Sequence, residues 1–574
     1  MNPDKLLDGF DTNGMLGELT EIPETEHNKL FQKAMNDAQV TLGQAIVQAR
    51  VESKPIILDA SRLSGTNGFD NWIVNPKGDT ERILVPFEQA KKQLEQRDGI
   101  QLEGHHDSDH RTQDVARLFA RMAYNGLWSP SGTNWQPIRT IVMDRYEASA
   151  LPGVSISTPA MVVFTRTKYS SILGDVASLC GIAHDPHAEY IDLGIWMQIA
   201  IQTAIGHGWT MTWRSLPGHA AKFLVKFLKK RSRQLPNPYS KAAAQLAISM
   251  EEGKHIPAYV LFAERSDRLA DCPEAPAMLS RSDFDMLIES RSTQRVASPS
   301  GMLSHADIQS LWDAALGNIR PHWSKIDLAL RFFSFSKTDP VPAAIGKAMK
   351  NGIEGPDGLL AKIRMENLMA HIQDCPTESE PLMAASLPEH LLGNLTSSGQ
   401  YRIEDGLVLD HRGKALTPSR LVKLMRMLAK SFGRFFLSFQ NTHPALGVIM
   451  VRADLPVHEQ LKAYEYAGRV AGHMSALARA KGWVSIIKSG PIEIARSEIQ
   501  RLMAENTTEK RVAEAIKAEK LRALLTFQIG LPLGPHELVS KGTKGEHNGI
   551  LERKLDKRAS RASVKRHHIP MAGD

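Results

Sequence analysis

The dipeptide Gly-Trp stands at 208–209 and again at 482–483, and the 274-residue offset between the two brings further residues into register. At that offset Tyr190 meets Tyr464, Gly194 meets Gly468, Ala204 meets Ala478 and Pro217 meets Pro491. Self-similarity at a fixed offset is the signature of a repeated unit. The chain is therefore expected to build one unit twice and fuse the copies. The matched residues flank long apolar stretches, which predict helices over 189–207 and 459–481, each closed by a glycine turn.

The remaining pattern can be arranged around those two helices. In the first copy, the helix "DVARLFARMAYNGLW" leads to a turn-rich stretch, strands at 138–143 and 160–167, the long helix, and a late strand at 256–264. In the second, the helix "SHADIQSLWDAAL" leads to the strand "IDLALRFFSF", an insertion at about 338–435, the strand "LGVIMVRAD", the long helix and the strand "ALLTFQIGLP". Helices mixed with strands in this order predict an α+β fold with mixed central sheets flanked by helices. The expected units are an N-terminal extension over 1–103, a first domain over 104–280, and a second over 281–574 that carries the insertion and a basic tail.

Composition removes several alternatives. A chain of 574 residues exceeds one ordinary core, given roughly 100–200 residues per domain. Cys180, Cys272 and Cys375 are far apart and form no CxxC pair, so a reducing cytoplasm is the expected home. The segment "MNPDKLLDGFDTNG" does not read as a secretory signal, and no run of eighteen apolar residues occurs, which argues against secretion and membrane spanning. The net charge of +7 is concentrated in "KFLVKFLKKRSR" (222–233) and "ERKLDKRASRASVKRHH" (552–568). Without a recognisable module, these clusters favour solvated helix faces over nucleic-acid binding. His105, His106, Asp107, Asp109 and His110 match no metal-ligand spacing, so this stretch reads as a polar loop that caps the following helix.

The segment "SPSGTNWQPIR" (129–139) packs small hydroxyls, an amide and turn-forming residues directly ahead of a strand. Together with "YIDLGIWMQIAIQTAIGHGW" and the "ESRSTQR" that opens the second copy, it resembles the FMN-dependent nitroreductase family, over roughly 110–265 and 284–566. The resemblance implies an FMN held between two intimately packed units, here an internal pseudo-dimer. It assigns Arg291, Thr293 and Arg295 of the second copy to the phosphate and ribityl end. Pro130, Ser131, Gly132 and Asn134 of the first copy form the opposing turn, where hydroxyl, amide and close backbone approach suit a ribityl phosphate. Arg558 and Arg561 are the tail residues expected over the phosphate, with Lys557 and Lys565 as substitutes.

The first copy has no "RSTQR" equivalent, and the second reads "LGNIRPHWSKIDL" where the Ser and Asn should stand. The surviving parts add up to one composite FMN site. "ASPSGMLS" (297–304) precedes its helix and reads as a loop and N-cap. After the second long helix, the stretch "GWVSIIKSGP" is expected to be a turn that brings the backbone of Ser489 and Gly490 beside the flavin ring. Lys488 there either favours the reduced ring or is simply exposed. Trp128, Trp135 and Trp196 are candidates for the cleft wall, although aromatic residues at such spacing are more often core. The implied activity is hydride or two-electron transfer on a small organic substrate, with NAD(P)H as a candidate electron donor. A non-catalytic scaffold of the same fold is the competing reading.

Overall fold

The computed structural model describes residues 48–49, 51–53, 56–59, 71–74, 80–83, 111–127, 138–154, 158–167, 188–237, 239–265, 303–369, 377–387, 392, 395, 401–440, 445–488, 490–531 and 568–570. In the N-terminal region, β1 (Ile56–Asp59), β2 (Asn71–Val74) and β3 (Thr80–Ile83) form a three-stranded antiparallel sheet.

The first half contains α1 (Arg111–Leu127), β4 (Arg139–Met143), β5 (Ala160–Arg166), α2 (Ala188–Gly206), β6 (Trp209–Ser215), α3 (Ala220–Arg231), α4 (Tyr239–Glu251) and β7 (His255–Arg265). β4 and β5 are buried on both faces, and the alternation of a pleated strand sorts their residues and those of β7 between two layers. Ile141, Val162, Phe164 and Val260 pack under α3 and α4, while Val142, Met161, Val163 and Leu261 pack under α1 and α2.

The second half contains α5 (His305–Ile319), β8 (Leu330–Ser336), α6 (Pro340–Glu354), β9 (Tyr401–Glu404), β10 (Leu407–Asp410) and α7 (Pro418–Gln440). It continues through β11 (Ala445–Arg452), α8 (Val457–Ala480), β12 (Val484–Lys488), α9 (Gly490–Glu505), α10 (Lys510–Lys517) and β13 (Leu521–Gly530). Its sheet also separates two layers: Ala445, Ile449 and Phe527 face α5 and α8, and Leu446, Val448 and Met450 face α6, α9 and α10. Part of the stretch read as an insertion builds its own small core from Leu359, Leu382, Val408, Leu421 and Met425. The β9–β10 hairpin turns on Asp405 and Gly406, both at positive φ, as a two-residue turn between right-twisted strands requires.

The two sheets have matching strand orders, β4-β5-β7-β6 and β8-β11-β13-β12, with antiparallel pairing throughout. In each half the strand that is third in sequence lies at the edge. The first sheet gains one more strand, β14 (His568–Ile569), which runs parallel to β4. Ile569 is buried in the first-half core, and the Arg231 guanidinium donates to the carbonyl of Pro570 at 3.4 Å.

The halves meet where α2 crosses α8. A Cβ on Gly194 would collide with the main-chain carbonyl of Glu465, and a Cβ on Gly468 would collide with that of Ile191. Only glycine permits so close an approach. The contact is reciprocal, because Gly194 and Gly468, like Ile191 and Glu465, are 274 positions apart. Gly208 and Gly482, which follow the two helices, both take positive φ, the left-handed conformation of a helix-closing glycine.

Candidate inter-half site

Of the residues assigned to the FMN site, Pro130, Ser131, Gly132, Asn134, Arg291, Thr293, Arg295, Ser489, Arg558 and Arg561 lie outside the described residues, as do Trp128 and Trp135. Both flanks of the 129–137 segment are nevertheless fixed. Before it, buried Asn125 donates to the Thr203 hydroxyl at 3.1 Å, and Thr203 in turn donates to the Ile199 carbonyl at 2.7 Å. The neighbouring Gly126 lies so close to Trp196 that a Cβ would strike the indole. After the segment, Ile138 is buried in the cluster that holds Trp196, Met197 and Ala200. The segment therefore leaves and rejoins the core beside the same turns of α2. Trp196 is only 4% exposed in that core, so it packs α1 against α2 and does not wall a cleft.

The stretch 482–491, expected to be a turn, instead contains a strand. Val484, Ile486 and Ile487 have the β-branched composition of a strand, and β12 pairs with β13 from Val484↔Gly530 to Lys488↔Thr526. Lys488 is buried, which removes the exposed alternative; its Nζ donates to Gln528 Oε1 at 3.2 Å, and its carbonyl accepts from Thr526 at 3.2 Å. Gln528 stands opposite Leu446, whose face of the sheet is covered by α6 and α9. Lys488 thus extends into the layer away from α8. Gly490 is the first residue of α9, so this end of β12 runs directly into a helix N-terminus, where amide groups lack intrahelical acceptors.

A second set of polar residues, not singled out in the sequence, lies in the seam between the halves. Glu465, Arg469 and His473 repeat every four residues on α8, and each is at most 2% exposed. Their counterparts 274 positions earlier are Ile191, Ile195 and Ile199, all buried in the second-half core. Tyr259 on β7 donates its hydroxyl to Glu465 Oε2, while Glu465 Oε1 has no hydrogen-bond partner among the described residues. Burial raises the Glu465 carboxyl above the usual range, and burial together with the carboxylate beside it raises Tyr259 well above the usual phenol value.

Arg469 donates to Gln198 Oε1 at 3.1 Å, and its guanidinium carbon lies 4.8 Å from the ring centres of both Trp213 and Tyr466. Trp213 also contacts the His322 ring at 4.9 Å, and the Tyr466 hydroxyl donates to the His322 carbonyl at 3.1 Å. His473 is enclosed by side-chain amides, with Gln198 and Gln202 at Nδ1 and Asn318 at 2.9 Å from Nε2. Because Gln198 Oε1 accepts from Arg469, its amide nitrogen is the group that faces Nδ1. The available sequence signal was three ionisable residues at i, i+4 and i+8 inside an otherwise apolar repeat.

Among the described residues no group of three or more His, Cys, Asp or Glu side chains could hold a metal, and residues 105–110 lie outside that set. No helix of the described residues is long and apolar enough to cross a membrane. No family model matches the chain, and no curated protein matches it. A solved structure from Anabaena variabilis, described as a candidate nitroreductase, is similar at 8% identity and a TM-score of 0.36, over 75% of this chain and 90% of that one. A likeness at that score carries no assignment for this chain.

Proposed function

We propose that the chain is a flavin-dependent oxidoreductase of the nitroreductase-like class, built as an internal pseudo-dimer of two diverged copies with one composite FMN site. The reciprocal crossing of α2 and α8 at Gly194 and Gly468 carries the pseudo-dimer reading. A closed two-fold interface has that property: each residue meets the counterpart of its partner's contact. The matching strand orders and the paired positive-φ glycines support the same reading.

The single-site reading is supported by the fate of the other groove. Where the second half's equivalent of the 129–137 segment should stand, a helical turn at Arg320–His322 is followed by buried Trp323. Trp213, His322, Trp323, Tyr466 and Arg469 pack together there. In this reading those side chains stand in place of a second flavin. The retained groove would be formed by the 129–137 segment and the β12–α9 junction.

The fit to FMN rests on the donors available. Arg291 and Arg295 would offer forked donors to the phosphate dianion, with Thr293 and the tail residues Arg558 and Arg561 beside them. Ser131, Gly132 and Asn134 would hold the ribityl chain on the turn set by Pro130. The main-chain amides at Ser489 and Gly490 would face the ring, at the point where α9 opens with Gly490-Pro491 ahead of its kink at Ala495. Lys488 would act from inside the fold by anchoring the end of β12 through Gln528, and so fixing those amides. FMN, when bound, supplies two-electron transfer to a small organic substrate, and the surrounding residues orient it and exclude water.

The test is to purify the full chain, record its visible spectrum and quantify the flavin released on denaturation. About one FMN per chain is expected, falling to near zero in Arg291→Ala/Arg295→Ala. No flavin after incubation with FMN would overturn the reading in favour of a scaffold, and about two per chain would overturn the single site.

A further inference from the structure

The polar stripe on α8 is not required by packing, since the same positions on α2 are three isoleucines that fill an apolar core. Burying a glutamate, an arginine and a histidine costs desolvation that isoleucine avoids, and a buried ion pair seldom repays it. Glu465 sits where the crossing is tightest. Its own backbone carbonyl abuts Gly194, and its side chain reaches across to Tyr259 on the first-half sheet. A change in Glu465 is therefore felt directly at the contact that joins the halves.

We propose that Glu465 is a proton-dependent fastening of the two halves: as a neutral acid it is accommodated in the buried crossing, whereas its ionisation strengthens the Tyr259 hydrogen bond but loosens the seam, because a charge is then held out of water at the contact. The proposal stands apart from the flavin reading and needs no cofactor. The groups around the carboxyl decide its behaviour. From β7 there is the Tyr259 hydroxyl; from α2, Tyr190, with Glu189 beside it; from α8, Arg469 and Lys462, with Tyr466 near Tyr259. Arg469 and Lys462 favour the carboxylate and the Tyr259 hydrogen bond does likewise, but burial outweighs all three. The remaining oxygen, Oε1, has no donor among the described residues to stabilise a negative charge. As a neutral acid Glu465 can instead keep its proton on that oxygen while Oε2 accepts from Tyr259.

The sign follows from where the proton is held. The unfolded chain releases it in the ordinary carboxylate range, whereas the folded chain keeps it to a higher pH. Stability is therefore fully present at acid pH and falls as pH rises through the interval between the two values, by up to about ten-fold in the folding equilibrium per pH unit.

The experiment follows the thermal unfolding midpoint of the full chain from acid to mildly alkaline buffer, with tryptophan emission as a second readout because Trp213 lies beside the seam. Wild type should lose stability as pH rises, and Glu465→Gln, which keeps the shape and an acceptor but cannot ionise, should lose less over the same range. Equal slopes in the two proteins would overturn the proposal. Should Glu465→Gln fail to fold, Tyr259→Phe decides: loss of a hydrogen bond that favours the carboxylate moves the decline to higher pH, and an unmoved decline overturns the proposal.

Discussion

The two long helices at the centre of the molecule cross at equivalent glycines, yet they present opposite chemistry to their neighbours. On α2 the stripe is Ile191, Ile195 and Ile199, absorbed into the second-half core; on α8 it is Glu465, Arg469 and His473, held by Tyr259, Gln198, Gln202 and Asn318. A fully buried isoleucine contributes about 1.5–3 kcal/mol, and an unpaired buried charge costs more than that. The crossing therefore depends on backbone proximity, while each stripe has adapted to the sheet it faces. In the pseudo-dimer reading proposed above, fusion would make this divergence tolerable, because fused copies need not stay identical.

The sharpest way to break the comparison is to exchange one member of each stripe. Ile195→Arg would place a charge against Gly472 in a core with no ready partner, and the expected result is loss of soluble, cooperatively unfolding protein. Recovery of a normal melt would show that α2 tolerates a polar stripe. The reverse exchange, Arg469→Ile, leaves Gln198 unsatisfied and removes the cation between Trp213 and Tyr466. It should cost about 1–3 kcal/mol in denaturant unfolding, with a shift in tryptophan emission. A change below about 1 kcal/mol would mean that the seam is as permissive as its isoleucine counterpart.

A smaller effect separates the halves by pH. His255 in the first half is buried against the Ser249 hydroxyl at 2.6 Å, and burial first, then the charges of Arg139 and Arg166, lower its pKa to about 2. The unfolded chain protonates it near 6.5, so stability is intact above that pH and declines as pH falls toward the lower value, by at most about 1.4 kcal/mol per unit. Urea midpoints measured at neutral and mildly acid pH should converge in His255→Asn relative to wild type. An unchanged gap would remove His255 as the source. A closed gap would make the first half sensitive to acid through His255, in contrast to the alkali-sensitive seam at Glu465.

The long helices were legible because Gly208-Trp209 and Gly482-Trp483 mark their ends, and a glycine at positive φ is a local requirement that sequence displays. The strands at 138–143 and 160–167 were legible from apolar β-branched runs. The stripe on α8 was not, since charges every four residues on a helix ordinarily mark a solvated face; only their partners on other elements reverse that meaning. Lys488 was misplaced for the same reason: nothing near it in sequence announces Gln528, forty residues away and two positions along the neighbouring strand's face. The candidate site itself is readable only as motif, since its segments at 130–134, 291–295 and 558–561 lie outside the described residues.

The terminal strand has a consequence for how the molecule is made. β4 emerges early in synthesis, but β14, which pairs with its edge and places Ile569 in the first-half core, is encoded some 430 residues later. At about 5–20 residues per second, the ribosome needs roughly 20–90 s to supply it. Throughout that interval the β4 edge has no β14 partner, and Arg231 has no Pro570 carbonyl to bind. The first half can collapse as it is translated, but its sheet is finished only when residues 568–569 have been made.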